Sequence, residues 1–222
     1  MTRSVRVLLG AAAALLLAGG VAAAGTRADR AGPPVVVQPS PAGPYRGLAL
    51  DPPQPRPTFT LLDTAGRQFD FAARTRGRPT FLYFGYTHCP DQCPTTLADI
   101  AAALRQLPAG VRSAVTVVFV TTDPRRDTPA VMGRFLAHFN PSFVGLTGTL
   151  AQVVRAQQAA QVPVSAPKAE TTKARPASTA HGGGALAYGP DDYAHLTYPA
   201  GTSVADLVHD LPRLVSGAAS HG

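Results

Sequence analysis

Residues 80–94 read TFLYFGYTHCPDQCP. Thr80–Phe84 is a short, aromatic-rich apolar run, the pattern of a buried β-strand. A helix is predicted after Pro94, because Leu97, Ile100, Ala101 and Leu104 recur at the spacing of one helical face. Cys89 and Cys93 then fall between the carboxyl end of a strand and the start of a helix, where open α/β sheets bind their ligands. Pro94 suits a first helical turn, so Cys93 is expected at or near the N-cap, where the helix dipole favours thiolate. Two thiolates so close in sequence can seat soft Cu(I), or they can oxidise to a disulfide. A mere staple is the plainer alternative. Closing so short a loop contributes only about 2 kcal/mol, whereas thiolate-held metal can be worth several times that, roughly 10–16 kcal/mol for structural zinc. A staple also needs neither a helix N-terminus nor the flanking Pro90 and Pro94. The pair reads as functional.

Working outward, Val115–Val120 (VTVVFV) is unbroken and rich in β-branched residues, as a central strand covered on both faces requires. Thr128 and Pro129 start a helix as N-cap and first residue, with Val131, Phe135, Leu136 and Phe139 as its stripe and Asp127 as a further capping residue. Phe143–Leu146 reads as a strand and Leu150–Gln161 as a helix. A hairpin is expected from Thr58–Leu62 and Gln68–Phe71. A second is expected from Ala185–Tyr188 and His195–Tyr198 around the turn 189–192, followed by a helix near Ser203–Val215. This order predicts an α/β domain of thioredoxin type: a central mixed sheet flanked by helices, an N-terminal hairpin, and a C-terminal hairpin preceded by a long mobile loop at 162–184.

The flanks carry different information. Residues 1–24 (MTRSVRVLLGAAAALLLAGGVAAA) have Arg3 and Arg6, an apolar stretch and a small-residue Ala22-Ala23-Ala24 end, and read as a signal peptide or membrane anchor. The remainder is therefore expected to be exported, either secreted or anchored, and to work in an oxidising extracytoplasmic compartment. Residues 25–57 hold nine prolines, which suggests an extended tether rather than a central strand. That leaves a domain at 58–216 and a tail at 217–222. With 222 residues the chain can bury a sizeable core, and its two cysteines exclude both a disulfide-rich scaffold and a four-cysteine zinc ribbon. The formal charge is +7 without any run of five basic residues, so no nucleic-acid partner is expected.

FGYTHCPDQCP at 84–94, DPRRDTP at 123–129 and YPAG at 198–201 together resemble the Sco/SenC family of copper proteins that help assemble cytochrome c oxidase. The resemblance covers roughly residues 58–216. It implies a thioredoxin-like fold and one copper ion held by two cysteines and a distant histidine. By position the cysteines are Cys89 and Cys93, and the histidine is His181, which precedes the C-terminal hairpin. The commoner family form has aspartate and serine beside this histidine; here Ala180 and Gly182 stand there. His88, His138, His195, His209 and His221 each read better as neighbours, helix residues, hairpin residues or tail. Asp123 should lie on the same rim as the metal, and the family links its loop to site organisation and partner docking.

Two functions follow. The first is copper delivery to the dinuclear copper site of cytochrome c oxidase, with the copper-site subunit as recipient and an upstream copper donor or thiol reductant as further partner. The second is a thiol–disulfide oxidoreductase in which Cys89 and Cys93 keep the oxidase's cysteines reduced. Against the second, such enzymes normally carry CxxC rather than CxxxC, and a proline where Gly182–Gly184 stands here.

Overall fold

In the computed structural model, residues 36–38, 43–164 and 184–217 are described. They form a mixed sheet with helices on both faces. The elements run β1 (Val36–Gln38), β2 (Leu48–Pro55), β3 (Thr60–Asp63), β4 (Gln68–Asp70), α1 (Phe71–Thr75), β5 (Thr80–Gly85) and α2 (Gln92–Gln106). Next come α3 (Ala109–Ala114), β6 (Thr116–Thr121), α4 (Pro129–Ala137), β7 (Val144–Thr147) and α5 (Leu150–Ala159). The chain ends in β8 (Ala185–Tyr188), β9 (Tyr193–Tyr198) and α6 (Val204–Val215). The sheet order is β1-β2-β9-β8-β5-β6-β7-β3-β4, with β5–β6 and β6–β7 parallel and the other pairs antiparallel.

Strand alternation splits the core into two layers. Phe81 and Tyr83 of β5, with Val117 and Phe119 of β6, face a layer completed by α2, α4 and α6. Leu82, Phe84, Val118 and Val120 face the opposite layer with Phe71 of α1 and Val153 and Ala156 of α5. Both central strands are therefore buried on both sides, as their unbroken apolar runs require. Thr128 caps α4 as expected, accepting from the Val131 amide with Pro129 in the first turn. Met132, not in the predicted stripe, is one of the two side chains α4 buries fully, with Leu136.

The boundary of the domain differs from the sequence expectation. Leu48–Pro55, inside the stretch read as tether, is a strand paired to β9. Prolines are tolerated because the ladder is interrupted where they sit. Ala49 pairs with Leu196, but the next β2–β9 pair is Gln54 with Ala194, so Pro52 and Pro53 lie within a bulge. Just before β2 the chain is fastened to α6. The buried Asp210 carboxylate accepts the Arg46 amide at 2.9 Å, the Gly47 amide at 2.9 Å and the Tyr198 hydroxyl at 3.0 Å. His209 Nδ1 lies 2.7 Å from its other oxygen.

The register of β8 decides which end of the sheet each feature occupies. Thr80 pairs with Tyr188 and Leu82 with Leu186, antiparallel. The 189–192 turn therefore lies at the amino end of β5, and Gly184 enters β8 at the carboxyl end, beside the cysteine loop. At the amino end the nearly buried Arg56 guanidinium bonds Asp192 at 2.7 Å and Thr75 at 2.9 Å, and its cationic carbon lies 4.9 Å from the Tyr188 ring centre. Residues 1–24 and most of the expected 162–184 loop and 217–222 tail lie outside the described residues. Among the described residues no helix is long and apolar enough to cross a membrane.

Candidate metal centre

Strand β5 ends at Gly85, the chain turns through 86–91, and α2 starts at Gln92. Cys93 is thus the second residue of the helix rather than its cap. Both cysteines are buried and unbridged. The Cys93 amide donates to Cys89 Sγ at 3.4 Å, so the first turn of the helix folds one thiol over the other residue's backbone. The Tyr83 hydroxyl, reaching up from β5 on the same face, lies 3.6 Å from Cys93 Sγ. Burial, reinforced by the two cysteines, pushes the Tyr83 hydroxyl above its ordinary range, so it remains protonated and donates to the sulfur.

The Cys93 thiol is not the activated thiolate that a helix N-terminus alone would favour. Burial pushes it up to about 12, against the lowering effect of hydrogen bonds from the Tyr86 backbone and the Tyr83 hydroxyl, and the neighbouring Cys89 adds to the rise. Desolvation outweighs these hydrogen bonds. The space around the sulfur is also tight: a Cβ at Gly85 would lie 2.7 Å from Cys93 Sγ and 2.8 Å from the Phe119 ring. Glycine at that position makes room for the thiol.

The 123–129 loop organises this end of the sheet. The Thr122 amide donates to the Gly85 carbonyl at 2.6 Å, joining the ends of β6 and β5. Asp123 stands next, buried, its carboxylate paired with Arg126 and its carbonyl accepting the Asp127 amide at 2.9 Å. Asp127, read from the sequence as a helix cap, has another task. Its fully buried carboxylate accepts the Thr87 amide at 2.9 Å, the Thr87 hydroxyl at 2.6 Å and the Thr121 hydroxyl at 2.6 Å. It thereby pins the cysteine loop to β6, leaving the cap to Thr128.

Of the residues singled out in the sequence, Cys89, Cys93 and Asp123 are brought to one rim. His181 lies outside the described residues. His195 is excluded from that rim: it belongs to the opposite end of the sheet, with Nε2 2.7 Å from Asp191. Tyr83, Gly85, Thr87 and Asp127 were not read as site residues. The signal for Tyr83 was a hydroxyl in an otherwise apolar strand, which needs a partner when buried. Among the described residues no cluster of three or more His, Cys, Asp or Glu side chains could hold a metal ion. The donor set here is two soft sulfurs, which suit a soft ion or a disulfide.

Over residues 49–216 the chain matches the SCO1/SenC family. It belongs to that family. This Sco protein is 37% identical over 135 residues to a putative copper-binding protein of Stutzerimonas stutzeri, covering 61% of this chain and 64% of that one. It is 43% identical over 118 residues to the mitochondrial SCO2 homolog of Bos taurus, covering 50% and 42%. The match thus spans less than two thirds of either relative. Bradyrhizobium japonicum ScoI, solved with copper bound, superposes with a TM-score of 0.59 at 28% identity, over 72% of this chain and 99% of that one. The fold of this Sco protein is thioredoxin-like, as the order of its elements predicted.

Proposed function

We propose that this Sco protein binds one copper ion as cargo through Cys89 and Cys93, with His181 as third ligand, and delivers it to the dinuclear copper site of cytochrome c oxidase. The carrying observation is the pair of buried, unbridged thiols at the carboxyl rim of β5, with the Tyr83 hydroxyl on one of them. Soft sulfur donors suit Cu(I), and the copper-binding relatives and the copper-bound neighbour support the same ion. Ligation displaces the Cys93 proton, so uptake releases acid.

The β8 register supports His181. Gly184 enters β8 on the cysteine side, and His181 stands three residues earlier, a tether of at most about 10 Å. Asp123 is proposed to help dock the recipient. Its own carboxylate is engaged by Arg126, so the surface that it offers is the half-exposed Arg126 guanidinium. Export through residues 1–24, as signal or anchor, places the protein beside the oxidase. The family resemblance supplies the oxidase as recipient. An oxidoreductase role of the same thiols is less well supported, because the raised Cys93 thiol is a poor nucleophile at neutral pH.

The test is copper loading of the reduced full chain in competition with bathocuproinedisulfonate, followed by transfer to a copper-free oxidase subunit. Cys89→Ser and Cys93→Ser should each abolish tight uptake. His181→Ala should weaken Cu(II) binding far more than Cu(I) binding and remove the thiolate-to-Cu(II) absorption band, while His195→Ala stays close to wild type. Tight zinc uptake without copper uptake would overturn the reading, and loss of the band in His195→Ala alone would move the third ligand.

A further inference from the structure

Next to the buried thiols stands a histidine that the copper site above does not use. His88 precedes Cys89 directly, its side chain is 55% exposed, and it is backed by buried groups. Its Nδ1 lies 3.0 Å from the Thr87 hydroxyl oxygen, and the same oxygen lies 2.6 Å from Asp127 Oδ1. A hydroxyl has one proton. The carboxylate accepts and cannot donate, so the Thr87 proton goes to Asp127. The Thr87 oxygen must then accept from His88, which requires the proton on Nδ1. Asp127 also lies 3.7 Å from Nδ1, which favours the protonated nitrogen further. In the neutral imidazole the remaining nitrogen, Nε2, therefore carries the lone pair. Asp127 to Thr87 to His88 is thus a carboxylate-backed relay of the kind that fixes the tautomer and orientation of metal-binding imidazoles.

The cysteine pair that begins one residue later is almost inaccessible: Cys89 is 6% exposed and Cys93 is 0% exposed. A cargo ion must pass between solvent and these buried donors through ligand exchange, and an exposed nitrogen base one residue from Cys89 shortens that passage. We infer that His88 Nε2 is the transfer ligand of this Sco protein, holding copper transiently as it moves between an external carrier and the Cys89–Cys93 pair. This rests on the copper reading above. In the exchange the Nε2 lone pair forms the new bond as a bond to the outgoing carrier breaks; on passage inward the bonds to sulfur form as the bond to Nε2 breaks, and the thiol protons leave to solvent. The copper keeps its oxidation state, and Nδ1 keeps its proton. Departure runs the same step in reverse.

Two measurements on the full chain test this. In the reduced, metal-free protein, multiple-bond proton–nitrogen-15 correlation should show neutral His88 protonated at Nδ1, and Thr87→Val should allow the other tautomer. Stopped-flow loading from Cu(I)–glutathione and removal by bathocuproinedisulfonate should both slow about tenfold in His88→Ala, while the Cu(I) affinity, measured at equilibrium in competition with bathocuproinedisulfonate, moves less than either rate. Thr87→Val should slow both by a smaller factor. Protonation at Nε2 in the wild type, or unchanged rates in His88→Ala, would overturn the inference. If the wild type takes up no copper, the copper reading fails and takes this one with it. If the wild type loads and His88→Ala exchanges equally fast, this one fails alone.

Discussion

Asp127 holds Thr87 at two points, accepting its amide at 2.9 Å and its hydroxyl at 2.6 Å, although forty residues separate them. The loop that carries both cysteines is therefore anchored from the neighbouring strand, before any metal is considered. Replacing Asp127 with Ala leaves the Thr87 amide and two hydroxyls without their acceptor. A loss of roughly 3 kcal/mol is expected, since hydrogen bonds to charged groups contribute about 1.5–3 kcal/mol each and partial rehydration recovers some. Urea unfolding of the reduced protein measures it, and a loss below about 1 kcal/mol would show that the anchor is dispensable.

At Gly85 the constraint is steric. Gly85→Ala places a methyl group 2.7 Å from Cys93 Sγ and 2.8 Å from Phe119, between two buried groups. Overpacking of this kind costs about 1–3 kcal/mol, and it should displace the thiol enough to weaken copper retention. Gly110→Ala is the matched control: the position lies in α3 with nothing within 4 Å of an added Cβ, and a gain of about 0.5–1 kcal/mol is expected. Equal effects at the two sites would contradict the packing argument.

Tyr83→Phe removes the hydroxyl that donates to Cys93 Sγ and little else. Stability should fall by about 1 kcal/mol or less. The telling measurement is spectroscopic: a hydrogen bond to sulfur withdraws electron density, so losing it should shift the thiolate-to-Cu(II) band to lower energy. An unmoved band would mean that the hydroxyl does not reach the ligating sulfur.

For Cys93 the direction of the pH dependence is set by burial. Its ordinary value is 9.0 and the folded protein raises it to about 12. The folded state therefore keeps a proton that the unfolded state releases between these values, and the associated stability is complete below pH 9 and is lost as pH rises toward 12. Cys93→Ser should flatten this alkaline loss. Iodoacetamide mapped by mass spectrometry should leave Cys93 of the reduced metal-free protein largely unmodified at pH 8, and rapid labelling there would refute the raised value.

Much of this was legible in the sequence because the deciding signals are local. The apolar run Thr80–Phe84, the CxxxCP spacing, the Thr128-Pro129 start and the hairpin turn at 189–192 each depend on residues a few positions apart, and each stands where expected. What escaped reading depends on distant partners. Leu48–Pro55 looked unable to form a strand because proline lacks an amide proton, yet β2 bulges away from β9 at Pro52 and Pro53, so the ladder makes no demand on them. Asp127 resembled a cap because it precedes Thr128. Only the return of β6 to the side of β5 brings Thr87 within its reach. Cys93 shows the same limit in energy: its place in the first turn suggested a thiolate, and the apolar layer that surrounds it reverses the sign.

The clasp of Asp210 on the Arg46 and Gly47 amides has a mechanical consequence. Tension from the N-terminal side would be shared between the β1–β2 pairing and this carboxylate, and Asp210 would pass its part of the load into α6. Because α6 packs against α2, the helix that begins at Gln92 and carries Cys93 in its first turn, the Arg46–Gly47 segment and the Cys93 thiol share one support. A pull on that segment would therefore be felt at the cysteine rim through the α6–α2 contact.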